Sequence, residues 1–146
     1  MIIKFFFNDT KKIIIEKNRL KAIIKLILED KKREPGNITI IFTSDKVIRN
    51  INKEFLNHDY FTDIITFQNN RKGIVNGELY ISIDSIKRNS TKYASSNYYL
   101  ELYRVIIHGI LHLVGLDDKA EWQKLQMKKE EDYYLNALNL QSDSNR

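Results

Sequence analysis

Two of the chain's three histidines lie four residues apart in the segment His108-Gly109-Ile110-Leu111-His112-Leu113-Val114-Gly115-Leu116-Asp117-Asp118. On an α-helix, positions i and i+4 differ by only about 40° around the axis, so both imidazoles point from one face toward one spot. Gly115 follows where a helix would end, and glycine is the residue type that most readily takes the left-handed conformation that reverses the chain. Such a reversal would carry Asp118 back to the two rings. Two neutral imidazoles and one carboxylate, with a position left for water, make a catalytic zinc arrangement. His108, His112 and Asp118 are therefore the expected ligands of one Zn²⁺ per chain. Two hydrogen-bonded core histidines would explain the His pair alone, but not a glycine and an Asp-Asp at ligand spacing behind it.

The spacing H-x-x-x-H-x-x-G-x-x-ligand is shared with the metzincin zinc proteases, which place Glu directly after the first His as general base. Here that position is Gly109. It has no side chain to take a proton, and a peptidase reading loses its main chemical support.

HGILHLVGLDD resembles the H-G-x-L-H-L-x-G-Y-D-H signature of the YbeY family of metal-dependent endoribonucleases. Met127 and Glu131 match a following M-x-x-x-E pattern. Upstream, Asn52-Lys53-Glu54-Phe55 and Asp59 through Phe67 are similar to the family's N-x-E-Y/F and T-D-V-L-S-F blocks, and Gly77-Glu78-Leu79-Tyr80-Ile81-Ser82 to its G-D/E-I/L-x-I-S/C strand. The blocks occur in order across residues 52–131. The resemblance implies an endoribonuclease acting in ribosomal RNA processing, with ribosomal RNA and the small ribosomal subunit as partners. Two positions depart from the pattern. Asp118 stands where the family usually has His, an acceptable exchange because carboxylate oxygen is a zinc donor. Leu56 stands where an arginine implied in RNA contact is common, so another cation must serve that role or the role is missing.

These side chains need a rigid element to hold them. The run Tyr98 to Val114 is apolar nearly all round, which predicts a central, buried helix carrying both histidines, capped by Ser95-Ser96. Before it, Ile2–Phe7 reads as a strand, and Ile13-Ile14-Ile15 as its extension or the approach to a helix. That first helix is capped by Asn18, carries Leu20, Ile23, Ile24, Ile27 and Leu28, and is stopped by Pro35-Gly36. Ile38–Phe42 is a short buried strand. Ser44 caps a second helix with an inner stripe of Val47, Ile48, Ile51 and Phe55, and with Arg49 and Lys53 outward. Ile64–Phe67 and Glu78–Ile83 form a hairpin. A third helix runs from Asp84 or Ser85 to about Tyr93. A last one runs from Glu121 to about Leu138, with Trp122, Leu125, Met127, Tyr133, Tyr134 and Leu138 available for packing. Lys128-Lys129-Glu130-Glu131-Asp132 reads as a solvated face with i,i+4 pairs, and residues 141–146 as a frayed tail. The expected fold is α/β (α+β), with a small mixed four-stranded sheet against about five helices, in a single domain over 1–146.

The composition agrees. The 146 residues, 42% of them hydrophobic, suffice for one core, and without cysteine neither a disulfide nor a thiolate metal site is possible. No apolar run is long enough to span a membrane, so no membrane partner and a cytoplasmic location are expected. Residues 1–57 hold 13 Lys+Arg against 7 Asp+Glu, and the remainder 11 against 12, within a net charge of +5. That asymmetry permits a polyanion such as RNA; DNA is not expected as a partner. A metal held by His108, His112 and Asp118 can lower the pKa of water and polarise a phosphoryl oxygen, which is sufficient chemistry for phosphodiester hydrolysis. No catalytic base is assigned. His58 is a candidate proton donor, and Asp117 either assists or caps the chain reversal. The rival reading is a non-catalytic ribosome maturation factor with a structural metal.

Overall fold

Alternation and turn chemistry set the strands, and parallel pairing brings them together. The computed structural model describes residues 2–57, 62–92 and 97–138, and contains β1 (Ile2–Phe7), α1 (Lys17–Asp30), β2 (Glu34–Thr43), α2 (Asp45–Leu56), β3 (Ile64–Gln68), β4 (Ile74–Ser82), α3 (Ile83–Lys92), α4 (Tyr98–Leu113) and α5 (Glu121–Ala137). The sheet order is β1-β2-β4-β3, parallel except for β3, which pairs antiparallel with β4. This is the mixed four-stranded sheet with five helices that the sequence predicts. Ser95-Ser96, His58 and the 141–146 tail lie outside the described residues.

Several boundaries move, each for a local reason. Asn18 lies inside α1 and does not cap it; the cap position is Glu16, whose backbone N–H donates to the Tyr103 hydroxyl (3.2 Å). The helix ends well before Pro35-Gly36, because Lys32 takes a positive φ of 56° and Arg33 N–H donates back to the Leu28 carbonyl. Pro35 instead pairs within β2, beside a register irregularity. β4 starts at Ile74, before the expected Glu78, because Ile74 and Val75 pair with Glu34 and Pro35 of β2. A Cβ on Gly77 would lie 2.7 Å from Leu113 Cδ2, so glycine there lets α4 settle onto the sheet. Ile13 to Ile15 belong to no element, and Ile14 is exposed.

Ser44 caps α2 as predicted, its hydroxyl accepting from Val47 N–H. The inner stripe of that helix is only partly right. Ile48 and Asn52 are buried, whereas Phe55 is exposed and meets only the edge of Phe67 among the resolved ring contacts (6.1 Å). Asp45 ties α2 to the end of β4 and to α3, accepting from Ser82 (2.6 Å), Ser85 (2.8 Å) and Arg88. Burial alone would raise its pKa; these hydrogen bonds and the Arg88 charge outweigh that and hold it below the usual carboxylate range.

α4 is the organising helix. Its cap is Asn97, whose side chain accepts from Tyr99 and Leu100 N–H, in place of the serines before it. From Glu101 to Leu113 every position is buried except Glu101, Arg104, His108 and His112. Those four follow i, i+3, i+7, i+11 spacing and form one polar stripe on an otherwise apolar cylinder. The apolar positions pack on Leu20, Ile24 and Ile27 of α1, on Leu79 and Ile81 of β4, and on Met127, Tyr134 and Leu135 of α5 in one cluster. Each such side chain contributes roughly 1.5–3 kcal/mol on burial, so the stripe is held by a helix that cannot easily turn. Gly109 has a packing reason: a Cβ there would lie 2.5 Å from Leu79 Cδ2 and 2.6 Å from Ile64 Cδ1. Its side-chain direction is toward the sheet, and a glutamate would be excluded on steric grounds.

Candidate metal centre

The turn after α4 builds the site. Gly115 has φ of 107°, its N–H donates to the His112 carbonyl, and Leu116 N–H donates to the Leu111 carbonyl. Those two bonds are the Schellman pattern that closes a helix on a glycine. Asn70 Nδ2 and Arg33 Nη2 satisfy the carbonyls of Leu113 and Val114. The reversal returns Asp118 to the histidines, as the sequence predicts. His108 Nε2 lies 3.0 Å from His112 Nε2, and Asp118 Oδ2 lies 3.3 and 3.5 Å from the two nitrogens.

Each ring is fixed from behind. His112 Nδ1 lies 3.0 Å from the Leu116 carbonyl, which can only accept, so Nδ1 carries the hydrogen and Nε2 presents its lone pair. His108 Nδ1 lies 2.6 Å from Glu131 Oε2, which orients that ring in the same sense. Two lone pairs and a carboxylate oxygen thus converge within a triangle of 3.0–3.5 Å edges. Donors arranged tetrahedrally at about 2.0–2.1 Å from a shared ion stand about 3.3 Å apart. The triangle fits a small cation, and it is the group of His, Asp and Glu donors among the described residues that could hold a metal ion.

The surrounding charges also favour a cation. Burial works against a charged His108 ring. The hydrogen bond and charge of Glu131, with Asp118 and Asp63 beyond, outweigh burial and hold the His108 pKa above the ordinary imidazole value. Asp63 is pushed up by burial, more than the His108 charge and the Asp63 and Ile64 backbone N–H bonds pull it down. Glu101, in the same stripe, is raised first by burial and then by Asp63. Arg104 bridges Glu131 (2.9 Å) and Asp132 (2.5 Å), and neutralises part of this acidity.

The triangle opens on a cleft of about 640 Å³ between the end of α2, the free edge of β3 and the turn after α4. Ile64, Thr66 and Gln68 form one wall, and Asn52 and Leu56 the rim. Leu56 is partly exposed there, so an arginine at this position would face the cleft. Lys119 is the cation among the described residues lining it. Arg49 and Lys53 are elsewhere, beside a separate hollow with Asp9, Ser44 and Asp84. Asp117 lines the cleft, and its Oδ1 accepts from Asp118 N–H (2.8 Å) within the chain reversal.

Three contributors escaped a reading of the residues alone. Glu131 belongs to a charge run that looks solvated, yet it is buried against His108; only the M-x-x-x-E resemblance pointed to it. Two other members of the run are also engaged, with Glu130 paired to Lys31 and Asp132 to Arg104. Of the residues offered for packing on α5, Met127, Tyr134 and Leu138 are buried, whereas Trp122, Leu125 and Tyr133 are exposed. Asp63 lies in the block that resembles the family's T-D-V-L-S-F segment, but nothing in the residues alone gives it a role at the histidines. Arg104 became visible only through the helical stripe.

The family model for the endoribonuclease YbeY matches residues 5–139. Curated endoribonuclease YbeY proteins are similar over nearly the whole chain. That of Chlorobium phaeobacteroides is 40% identical over 132 residues, covering 90% of this chain and 94% of its own. That of Azobacteroides pseudotrichonymphae is 48% identical over 119 residues, covering 82% and 85%. A solution structure of a Thermotoga maritima protein has the same fold, with a TM-score of 0.68 at 24% identity over 99% of this chain and 93% of that one.

Proposed function

The chain belongs to the YbeY endoribonuclease family, and on that premise we propose that it hydrolyses RNA phosphodiester bonds at the triangle of His108, His112 and Asp118. The observation that carries this reading is the opening of three convergent donors onto a cleft along a strand edge. Two imidazoles and a carboxylate suit zinc, and we take one Zn²⁺ per chain as the resident ion. When bound, it supplies Lewis acidity toward a phosphoryl oxygen and toward water. The protein's part is orientation. Leu116 and Glu131 hold the two rings with Nε2 inward, and Gly115 sets where Asp118 stands. Asp63 is the cleft carboxylate whose pKa burial moves toward neutrality, the direction a general base requires.

RNA as substrate follows from the family. Ribosomal RNA, association with the small ribosomal subunit and a cytoplasmic site of action are further parts of the proposal, supported by the resemblance of the HGILHLVGLDD segment. So is a single domain over 1–146, supported by the one hydrophobic cluster that joins β1 to α5. No described helix is long and apolar enough to cross a membrane.

The test is metal content measured alongside cleavage of a structured ribosomal RNA fragment, with a chelator control. Metal-loaded protein is expected to cut and chelated protein to be silent; protein that binds no offered zinc and cuts nothing sinks the reading. Asp118→Ala should lower metal affinity by at least about 100-fold, because it removes one of three direct donors, and loss of a mere supporting group already costs about 10- to 100-fold. Asp118→His should retain the metal, and equal affinity in wild type and Asp118→Ala would move the third donor elsewhere.

Leu56→Arg is expected to strengthen RNA binding by about tenfold, as one guanidinium–phosphate contact would. Leu56 is 42% exposed, so no buried charge is created and thermal stability should hold. A lowered melting temperature with unchanged RNA affinity would show that the side chain turns away from the cleft.

A further inference from the structure

The donor triangle is a divide between two hollows. His108 and Asp118 line the cleft along β3, and they also line a second groove of about 480 Å³ between α4 and α5. The two differ in charge. In the β3 cleft, Lys119 faces Asp63, Asp117 and Asp118. In the second groove, Arg104, Lys124 and Lys128 stand against Glu101, Asp118 and Glu131, and Glu131 is already paired with Arg104 and His108.

Lys124 and Lys128 are exposed on α5 and four residues apart, so they share one face with a rise of about 6 Å between them. That rise is comparable to the separation of successive phosphates along a single strand. Lys128 belongs to the charge run that reads in sequence as a plain solvated face. Its neighbour Lys129 is also exposed but does not line the groove.

We infer that the α4–α5 groove is a second RNA subsite, in which Lys124 and Lys128 hold the phosphates on the far side of the scissile bond. The inference rests on the nuclease reading above. A strand crossing the triangle then occupies the β3 cleft on one side of the cut and this groove on the other. It is gripped more by charge on the groove side, where cations balance the acids. A substrate ending at the scissile phosphate on that side loses these contacts.

The test exploits the neighbouring lysines. Lys124→Ala, Lys128→Ala and Lys129→Ala remove the same charge from the same exposed helix. Binding of a short fluorescein-labelled single-stranded RNA is measured over a potassium chloride series, with chelator present so that nothing is cut. Lys124→Ala and Lys128→Ala should each weaken binding several-fold at low salt and flatten the log–log salt slope by about 0.7. Lys129→Ala should match wild type. In the metal-loaded protein the first two should raise KM with little change in kcat, because the groove binds a part of the strand that does not react. Wild type that cuts RNA while Lys128→Ala and Lys129→Ala behave alike overturns the subsite and leaves the nuclease intact. A wild type that cuts no RNA overturns the nuclease reading, and the subsite with it.

Discussion

His112→Ala is expected to lose tight metal binding and to cut RNA at least about a thousandfold more slowly, while keeping its fold and most of its affinity for RNA. The ring supplies one of three converging donors, and its Nε2 is 3.0 Å from that of His108. Without it the remaining pair is one ring and a partly exposed carboxylate, too few donors to hold an ion against water. The structural cost is small. The ring gives up one hydrogen bond, to the Leu116 carbonyl, worth about 0.5–1.5 kcal/mol. The turn itself is closed by Gly115 and Leu116 backbone bonds that do not involve the side chain. RNA affinity should survive because the cations that line the two hollows, Lys119, Arg104, Lys124 and Lys128, are untouched. The measurements are metal content, circular dichroism, RNA binding under chelation and cleavage. Full cleavage by a metal-free, folded His112→Ala protein would remove this triangle from the chemistry.

What made the triangle legible in the sequence was its locality. His108, His112, Gly115 and Asp118 fall within eleven residues, and helix geometry plus one left-handed glycine is enough to converge them. The sheet was legible for a similar reason, since each strand announces itself by its own residues. The misplacements share a cause as well. Ile74 and Val75 fall before the expected strand Glu78–Ile83 yet pair with β2, and Phe55 looks inward yet is exposed. Gly109 reads as a missing base, when the close approach of Leu79 and Ile64 is what requires it. Tertiary neighbours decide these, and no window of sequence contains them.

The same limit explains why Glu131 and Asp132 read in sequence as part of a solvated face. Arg104, Glu131 and Asp132 form a network between α4 and α5 that is set by how two helices cross. Periodicity on α5 alone ranks Glu131 with its exposed neighbours. Once the polar stripe of α4 is seen to face that helix, a buried acid opposite His108 has a physical reason to be there: it sets the tautomer and balances Arg104.

Glu131→Ala should therefore weaken metal binding by about 10- to 100-fold without touching a ligand. The carboxylate is buried, accepts from His108 Nδ1 at 2.6 Å, and pairs with Arg104. Its loss frees the His108 ring to rotate or to place its proton on Nε2, where it would block the donor. It also leaves Arg104 with Asp132 alone, at a cost to stability of about 1–3 kcal/mol, moderated because Arg104 is partly exposed. Glu131→Gln separates the two effects, since an amide oxygen can still accept from Nδ1 but carries no charge. Its metal affinity should lie between wild type and Glu131→Ala. In metal-free protein the exchange also removes the Glu131 charge, among the foremost of the influences that raise the His108 pKa. A histidine raised on folding adds stability that is fully present below its unfolded pKa and is lost as pH rises through the folded value. The stability gap between metal-free wild type and Glu131→Gln should thus be wider near pH 5.5 than near pH 8.5, by the sign of that shift. Denaturant titrations at the two pH values measure the gap, and competition with a chromophoric chelator measures the metal. Unchanged metal affinity in Glu131→Ala, or a gap that widens toward alkaline pH, would mean that Glu131 serves only to hold α4 against α5.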